Sequence, residues 1–480
     1  MPPIPSHRPL PRRLRAAITA LALTTAAWAS AHAQAALPPE VSAALARARL
    51  PADSVVAWVA DAEGRQPPRV AWRAQVQVNP ASVMKLVTTY AALDLLGPAY
   101  SWPTQVFVEG AVREGTLYGN LHIRGQGDPK LVSERLWLLL RRVQGLGIRS
   151  ITGDIVLDRT AFELPPHDAA AFDGDPTRPY NAAADALLVN YRSIVMTFTP
   201  DRTSGVATIQ YEPPLAGVQL PATVPLGLEP CADWRGTLGA DFSDPARIRF
   251  GGVYPATCGE RAWPVAPMDP DGFAARAIEG LWREAGGQLR GTVRQGQVPA
   301  GLKPAFEVAS PALAEVVRDV NKFSNNVMAQ QLFLTLSLAQ RGRGTPDASR
   351  DVVRQWWASR MGPAEPPPVI DNGSGLSRNS RISAQAMGRM LQSAWLSPVM
   401  PDLAASLPIA GVDGTARRSR AQGAAHLKTG SLRDVAGVAG YVHAASGRRY
   451  VLVIIANHPS ASASALRPAI DALVDWTARE

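Results

Sequence analysis

The feature that most constrains this chain is a change of texture that reverses itself. From about residue 37 to 100 the apolar residues fall in long runs, first with helical and then with strand spacing. From about 101 to 304 the chain breaks into short β-like runs, "TQVFVEGAV", "GTLYGNLHIRG", "SITGDIVLDRT", "GVATIQYE" and "ARIRFGGVY", separated by Gly, Pro and Asp turns. One helix, "SERLWLLLRRVQGLG", interrupts them. From about 305 the helical texture returns with "LAEVVRDVNKFSNNVMAQQLFLTLSLAQ", and the last 50 residues read as strand, turn, strand, helix. A chain of 480 residues is too long for one ordinary domain. A texture that is left and regained predicts a discontinuous α/β outer unit, 37–100 with 305–480, around a β-rich insert at 101–304. No period of 20–50 residues marks a repeat array.

Within the first segment "PPEVSAALARARL" predicts a helix and "DSVVAWVADAEG" a strand. "AWRAQVQVNPAS" predicts a second strand, alternating apolar and polar up to a break at Asn79-Pro80. From Ser82 onward Val83, Leu86, Val87, Tyr90, Ala91 and Leu95 keep helical spacing, and Gly97-Pro98 ends it. Ser82 is thus expected in the first turn of a largely buried helix.

The first residues look like an export signal. Arg8, Arg12, Arg13 and Arg15 form a basic region, Ala16–Ala29 is apolar, and "ASAHAQAA" offers the small-x-small spacing of a cleavage site near Ala33. The apolar run is too short to span a bilayer, which takes about 20 residues, so residues 1–33 are read as a cleaved signal peptide and the protein as periplasmic, without a stable membrane span. Removal of four arginines lowers the net charge from +9 to +5 (9 − 4). The remaining basic residues are scattered without aromatic interleaving, which argues against nucleic acid as a partner. Cys231 and Cys258 stand 27 positions apart. In an oxidising compartment they can pair, a cross-link worth roughly 3 kcal/mol in the chain-entropy picture; two free buried thiols are the alternative. Two cysteines without a flanking His or Asp cluster make a poor metal site.

Lysine is rare: 5 of the 49 basic residues. One is Lys85, three positions after Ser82, a spacing that puts hydroxyl and amine on one helix face. A serine hydroxyl needs a base to become a nucleophile. A buried lysine can supply one, because desolvation favours the neutral amine, whereas arginine stays charged. Ser324-Asn325-Asn326, at a helix–loop junction, offers a second hydroxyl and a side-chain amide. Lys428-Thr429-Gly430, on an apparent strand followed by Ser431, offers an ammonium and a hydroxyl for a substrate carboxylate, with a glycine that lets a ligand approach the backbone.

Ser-x-x-Lys, Ser-x-Asn and Lys-Thr-Gly in this order resemble the penicillin-binding proteins and serine β-lactamases. With "YGNLHIRGQGDPKL" (118–131), "YNAAADALLVNYRS" (180–193), "DNGSGLSRNSRIS" (371–383) and "LKTGSLRDVAGVAGYV" (427–442), the chain is similar to the low-molecular-mass D-alanyl-D-alanine carboxypeptidase/endopeptidases, the class C penicillin-binding proteins of the S13 peptidase type. The resemblance covers nearly the whole mature chain. It implies a transpeptidase-like domain, an antiparallel sheet with helices on both faces plus a helical cluster, interrupted by a two-part insertion, here about 101–194 with 266–304, and 195–265. It implies Ser82 as the acylated nucleophile, Lys85 as its base, and Ser324 as proton relay to the leaving D-alanine. Asn326 would orient Lys85 and the substrate amide, Lys428 and Thr429 would bind the terminal carboxylate, and the backbone N–H groups of Ser82 and Ser431 would form the oxyanion hole. Gly430 belongs to the same motif, the loop 371–378 would border the site, and Asp175 would meet the free amine of the stem peptide. No metal and no cofactor are implied; the partners would be peptidoglycan stem peptides, with β-lactams as covalent inhibitors.

Other patterns read as ordinary structure. Gly125-Gln126-Gly127 is a turn rather than a nucleotide loop, and His426 lacks a placed acid for a Ser-His-Asp triad. The amphipathic C-terminus packs on the sheet. Two other functions stay open at this point: a serine β-lactamase, and a catalytically idle wall-binding or penicillin-sensing protein.

Overall fold

The structure is a computed structural model that describes residues 36–480; the signal segment 1–33 lies outside the described residues. Its central sheet has five antiparallel strands in the order Ala424–Leu432, Val435–His443, Arg449–Asn457, Val55–Asp61 and Val70–Trp72. The N-terminal strand joins the C-terminal ones directly, with Val55 opposite Ala456 and Asp61 opposite Tyr450. The three inner strands read as nearly unbroken apolar runs because both of their faces are covered. Val56, Trp58, Ala60, Val451, Val453 and Ile455 point into one core, and Val55, Ala57, Val59, Leu452, Ile454 and Ala456 into another. The first core is closed by the helices Lys85–Leu96, Leu313–Phe323, Asn326–Arg341, Pro346–Met361 and Ala384–Trp395. The second is closed by Pro39–Arg47 and the C-terminal helix Ala463–Ala478, whose Leu466, Ile470 and Leu473 face the sheet.

Two local expectations are corrected. The strand expected from residue 71 up to the break at Asn79-Pro80 is interrupted: Arg73 adopts φ 47° and Val76 N–H closes a turn on its carbonyl at 3.0 Å. The chain leaves the main sheet there, and Gln77–Val78 pairs instead with Ile382–Ser383. Ser82 does not open an α-helix. It lies in a 3-10 turn, Ala81–Met84, and the α-helix begins at Lys85.

Residues 103–309 carry two large sheets and a two-stranded one, Ala240–Asp244 with Arg247–Phe250. One large sheet has seven strands, including Pro103–Arg113, Thr116–Arg124, Ile155–Asp158 and Val293–Gln295; the other has five, including Ile194–Asp201, Val206–Glu212 and Arg261–Val265. The amphipathic helices Ser133–Gly145 and Phe273–Glu284 lie on the same continuous core as both sheets. Phe306–Ala309 pairs with Pro103–Val106, so the seven-stranded sheet reaches a few residues beyond position 304. Cys231 and Cys258 are joined by a disulfide, with Cα atoms 4.9 Å apart. Among the described residues no helix is long and apolar enough to cross a membrane.

Candidate active site

The edge strand Ala424–Leu432, the turn at Ser82 and the junction at Ser324 converge on one cleft. The turn that carries Ser82 is held from three sides through Asn79. Its Nδ2 donates to the Ser377 carbonyl at 2.8 Å, its Oδ1 accepts from Ala81 N–H at 2.8 Å, and its backbone pairs with the Asn457 amide at 2.9 Å in both directions. Ala81 sits at φ 48°, a left-handed conformation that a non-glycine residue adopts only when its surroundings enforce it. In a 3-10 turn residues i and i+3 eclipse, and the Ser82 and Lys85 side chains accordingly stand side by side.

Lys85 is fully buried. Its Nζ lies 3.0 Å from Ser82 Oγ, 2.6 Å from Asn326 Oδ1 and 2.6 Å from the Ser374 carbonyl oxygen. The last two partners are pure acceptors, so an uncharged amine spends both of its hydrogens on them and turns its lone pair to Ser82. Burial, and after it the charge of Lys428, holds the Lys85 amine well below the ordinary lysine value. No acid pairs with it among the described residues.

Ser324 takes the left-handed position (φ 58°) that ends the helix Leu313–Phe323, and Asn325 caps the next helix by accepting Met328 N–H at 3.1 Å. The kink turns Ser324 Oγ to the cleft and Asn326 to Lys85. Asn326 Nδ2 donates to the Tyr180 carbonyl at 3.2 Å, so this amide joins Lys85 to the loop that follows the insert's first sheet. Lys428, also fully buried, donates to Ser324 Oγ at 2.8 Å and to the Thr429 carbonyl at 2.7 Å. Burial brings its ammonium down to about 7. Thr429 Oγ1 lies 2.6 Å from Thr415 Oγ1, and Ser431 is exposed on the same edge strand.

Gly430 also has a packing role that sequence reading did not give it. A Cβ there would stand 2.6 Å from the Pro80 carbonyl oxygen and 3.0 Å from the Val83 nitrogen. Gly430 lines the cleft, and its missing side chain also admits the backbone of the Ser82 turn, a role beside the one expected. Gly375 does the same from the other side, with φ 76° and a Cβ position 2.0 Å from the Ala81 carbonyl.

Asp175 is not among the residues that line the cleft and is engaged within its own loop. Its Oδ1 accepts from Thr177 Oγ1 at 2.6 Å and its Oδ2 from Arg178 Nε at 2.7 Å, and these bonds keep its carboxyl below the usual range. The cleft wall beside Ser82 is made by its neighbours Phe172, Asp173, Arg178 and Tyr180, faced by Arg378. Asp173 binds Tyr180 Oη at 2.6 Å and Asn181 Nδ2 at 2.7 Å. Sequence reading missed the carbonyls of Ser374 and Tyr180, and Thr415. It also missed the Lys322–Asp413 pair (2.5 Å), which ties the segment ahead of Ser324 to the one ahead of Thr415. Only the "DNGSG" and "YNA" phrases gave a signal near any of them.

Comparison with known proteins places the chain in a family. The family model described as D-Ala-D-Ala carboxypeptidase 3 (S13) matches residues 37–480. A D-alanyl-D-alanine carboxypeptidase of an Actinomadura species is 31% identical over 419 residues, 82% of this chain and 76% of that protein. The carboxypeptidase DacB of Haemophilus influenzae is 25% identical over 78% of this chain and 80% of its own length. The crystal structure of penicillin binding protein 4 (dacB) from Haemophilus influenzae superposes with a TM-score of 0.70 at 23% identity, covering 90% of this chain and 99% of that one. A predatory endopeptidase of Bdellovibrio bacteriovorus shares the fold at a TM-score of 0.52 and 16% identity, over 87% of this chain and 90% of that one. With its family's model matched from residue 37 to the last, the chain belongs to the D-Ala-D-Ala carboxypeptidase 3 (S13) family.

Proposed function

We propose that the protein is a serine-type D-alanyl-D-alanine carboxypeptidase and D,D-endopeptidase of peptidoglycan stem peptides, acylated on Ser82 by substrate and by penicillins. The observation that carries this reading is the position of Lys85: a fully buried amine, its hydrogens aimed at two carbonyl oxygens, 3.0 Å from the Ser82 hydroxyl.

In this reading neutral Lys85 takes the proton of Ser82 as Oγ bonds to the penultimate D-alanine carbonyl carbon. The oxyanion is met by the N–H groups of Ser82 and Ser431, a term worth roughly 3–4 kcal/mol in related chemistry. Ser324 passes a proton to the departing nitrogen as the C–N bond breaks, while Lys428 and Thr429 hold the terminal carboxylate. Water then cleaves the Ser82 ester by the same groups in reverse. Asp175 meets an ammonium on the acyl side of the substrate. The unit carrying the site is built from 37–100 and 305–480, with 101–304 inserted as two subdomains. Residues 1–33 direct export to the periplasm and are removed. D-alanine release from a pentapeptide, abolished in Ser82→Ala, tests the function. Hydrolysis of penicillin without release of D-alanine would instead mark a β-lactamase, and neither activity an idle binding protein.

A further inference from the structure

The cleft continues past the point where a simple terminal D-alanine would end. A cavity of about 510 Å³ starts at Ser82 and Ser324, passes Thr429, and runs between the segment 414–419 and the first turns of the C-terminal helix. Its wall carries Arg417, Arg418 and Arg467 against one acid, Asp471. The acid is already engaged: Asp471 accepts from Ser419 Oγ at 2.6 Å and from Arg420 N–H at 3.1 Å. The three arginine side chains make no hydrogen bond or ion pair among the described residues, whereas Arg178, Arg360 and Arg389 elsewhere are paired with acids. Three unpaired guanidinium groups around one channel repel one another and favour an anionic occupant.

The direction of the channel decides what that occupant is. Resting on the reading above, the terminal carboxylate sits at Lys428 and Thr429, so the channel lies on the leaving-group side. A carboxypeptidase substrate has nothing beyond that carboxylate. In a D,D-cross-link the residue bearing it continues through its side chain into a second stem peptide, which carries further free carboxylates. We infer that the channel between 414–419 and the C-terminal helix is the binding site for the leaving stem of a cross-linked peptide dimer, its carboxylates taken by Arg417, Arg418 and Arg467. The channel is the feature that sets cross-link cleavage apart from carboxypeptidase action in this chain.

The test compares three substrates on the wild-type protein: a pentapeptide, a D,D-cross-linked stem dimer, and the same dimer with the leaving stem's distal carboxylates amidated. The native dimer should exceed the amidated one about tenfold in kcat/KM, the size of one lost charge-assisted bond. The double variant Arg418→Glu/Arg467→Glu should erase that preference and lower the dimer-to-pentapeptide ratio by a similar factor. Equal cleavage of native and amidated dimers by the wild type, or an unchanged ratio in the variant, would overturn the channel assignment. So would pentapeptide cleavage without any dimer cleavage, which leaves the carboxypeptidase reading standing. Failure to release D-alanine from the pentapeptide would sink the underlying function instead.

Discussion

Lys428 Nζ lies 2.8 Å from Ser324 Oγ, and the two residues come from elements 104 positions apart. In the proposed mechanism the contact joins the strand that would bind the substrate carboxylate to the hydroxyl that would serve the leaving group. Each side chain should therefore report on the other. Ser324→Ala should slow acylation by both peptide and penicillin, on the order of 10²-fold. Lys428→Arg keeps a cation but cannot fit the same pocket; it should mainly raise KM for peptides and leave slow penicillin labelling measurable in single-turnover experiments. Full loss of labelling in Lys428→Arg would make that residue part of the activation step itself.

The two buried lysines predict a bell-shaped pH profile for kcat/KM. Lys85 works only when neutral, so the rate rises with pH through its lowered pKa. Lys428 holds a carboxylate only when charged, so substrate capture weakens above about 7, where it loses its proton in the free protein. Bound carboxylate stabilises the ammonium, which should push the alkaline limb of kcat upward relative to that of kcat/KM. Lys428→Arg should remove the alkaline limb, because a guanidinium keeps its charge. An alkaline limb at the same pH in that variant would assign it to another group.

Six of the candidate site's side chains were legible because their chemistry is local. Ser82 with Lys85, Ser324 with Asn326, and Lys428 with Thr429 each announce themselves within four residues. What the sequence did not show is the geometry that brings them together. That geometry depends on Val55–Asp61 pairing with Arg449–Asn457, across nearly four hundred positions. The acceptors of Lys85 and Asn326 include the backbone carbonyls of Ser374 and Tyr180, and a carbonyl leaves no mark on residue identity. The strand expected from residue 71 up to Asn79-Pro80 failed at Arg73, whose left-handed φ carries no compositional signature. Gly430 was legible as a glycine but not in its packing role, since its neighbour in space, Pro80, is 350 positions away.

Asp175 is already paired with Arg178 at 2.7 Å, a contact both partners expose to solvent. Such a surface pair is worth about 0–1 kcal/mol, so a substrate ammonium can displace the guanidinium cheaply. Asp175→Ala should lower kcat/KM for amine-bearing stem peptides several-fold more than for acyl-D-Ala-D-Ala without the amine. Arg178→Ala should shift selectivity the other way. Parallel kinetics on the two substrates decide this, and equal changes on both would remove Asp175 from substrate selection.

Gly375→Ala should act on Ser82 without touching any reacting group. The added methyl would collide with the Ala81 carbonyl at a position whose φ is already 76°. We expect a stability loss of roughly 2 kcal/mol or a displaced Ser82 turn. Thermal unfolding measured beside penicillin labelling should show a lower Tm, slower labelling, or both. A variant matching wild type in both would show that the turn at Ser82 is not held by this packing.

The central claim is that Lys85 is the base that activates Ser82. Intact-protein mass spectrometry of penicillin labelling against time, on wild type and Lys85→Arg at matched concentration, tests it most directly. The wild type should gain the mass of one acyl group, and the gain should vanish in Ser82→Ala. In Lys85→Arg the rate should fall on the order of 10²–10⁴-fold, with circular dichroism unchanged. Labelling of the folded Lys85→Arg variant at a rate near that of the wild type would show that the Ser82 proton goes elsewhere.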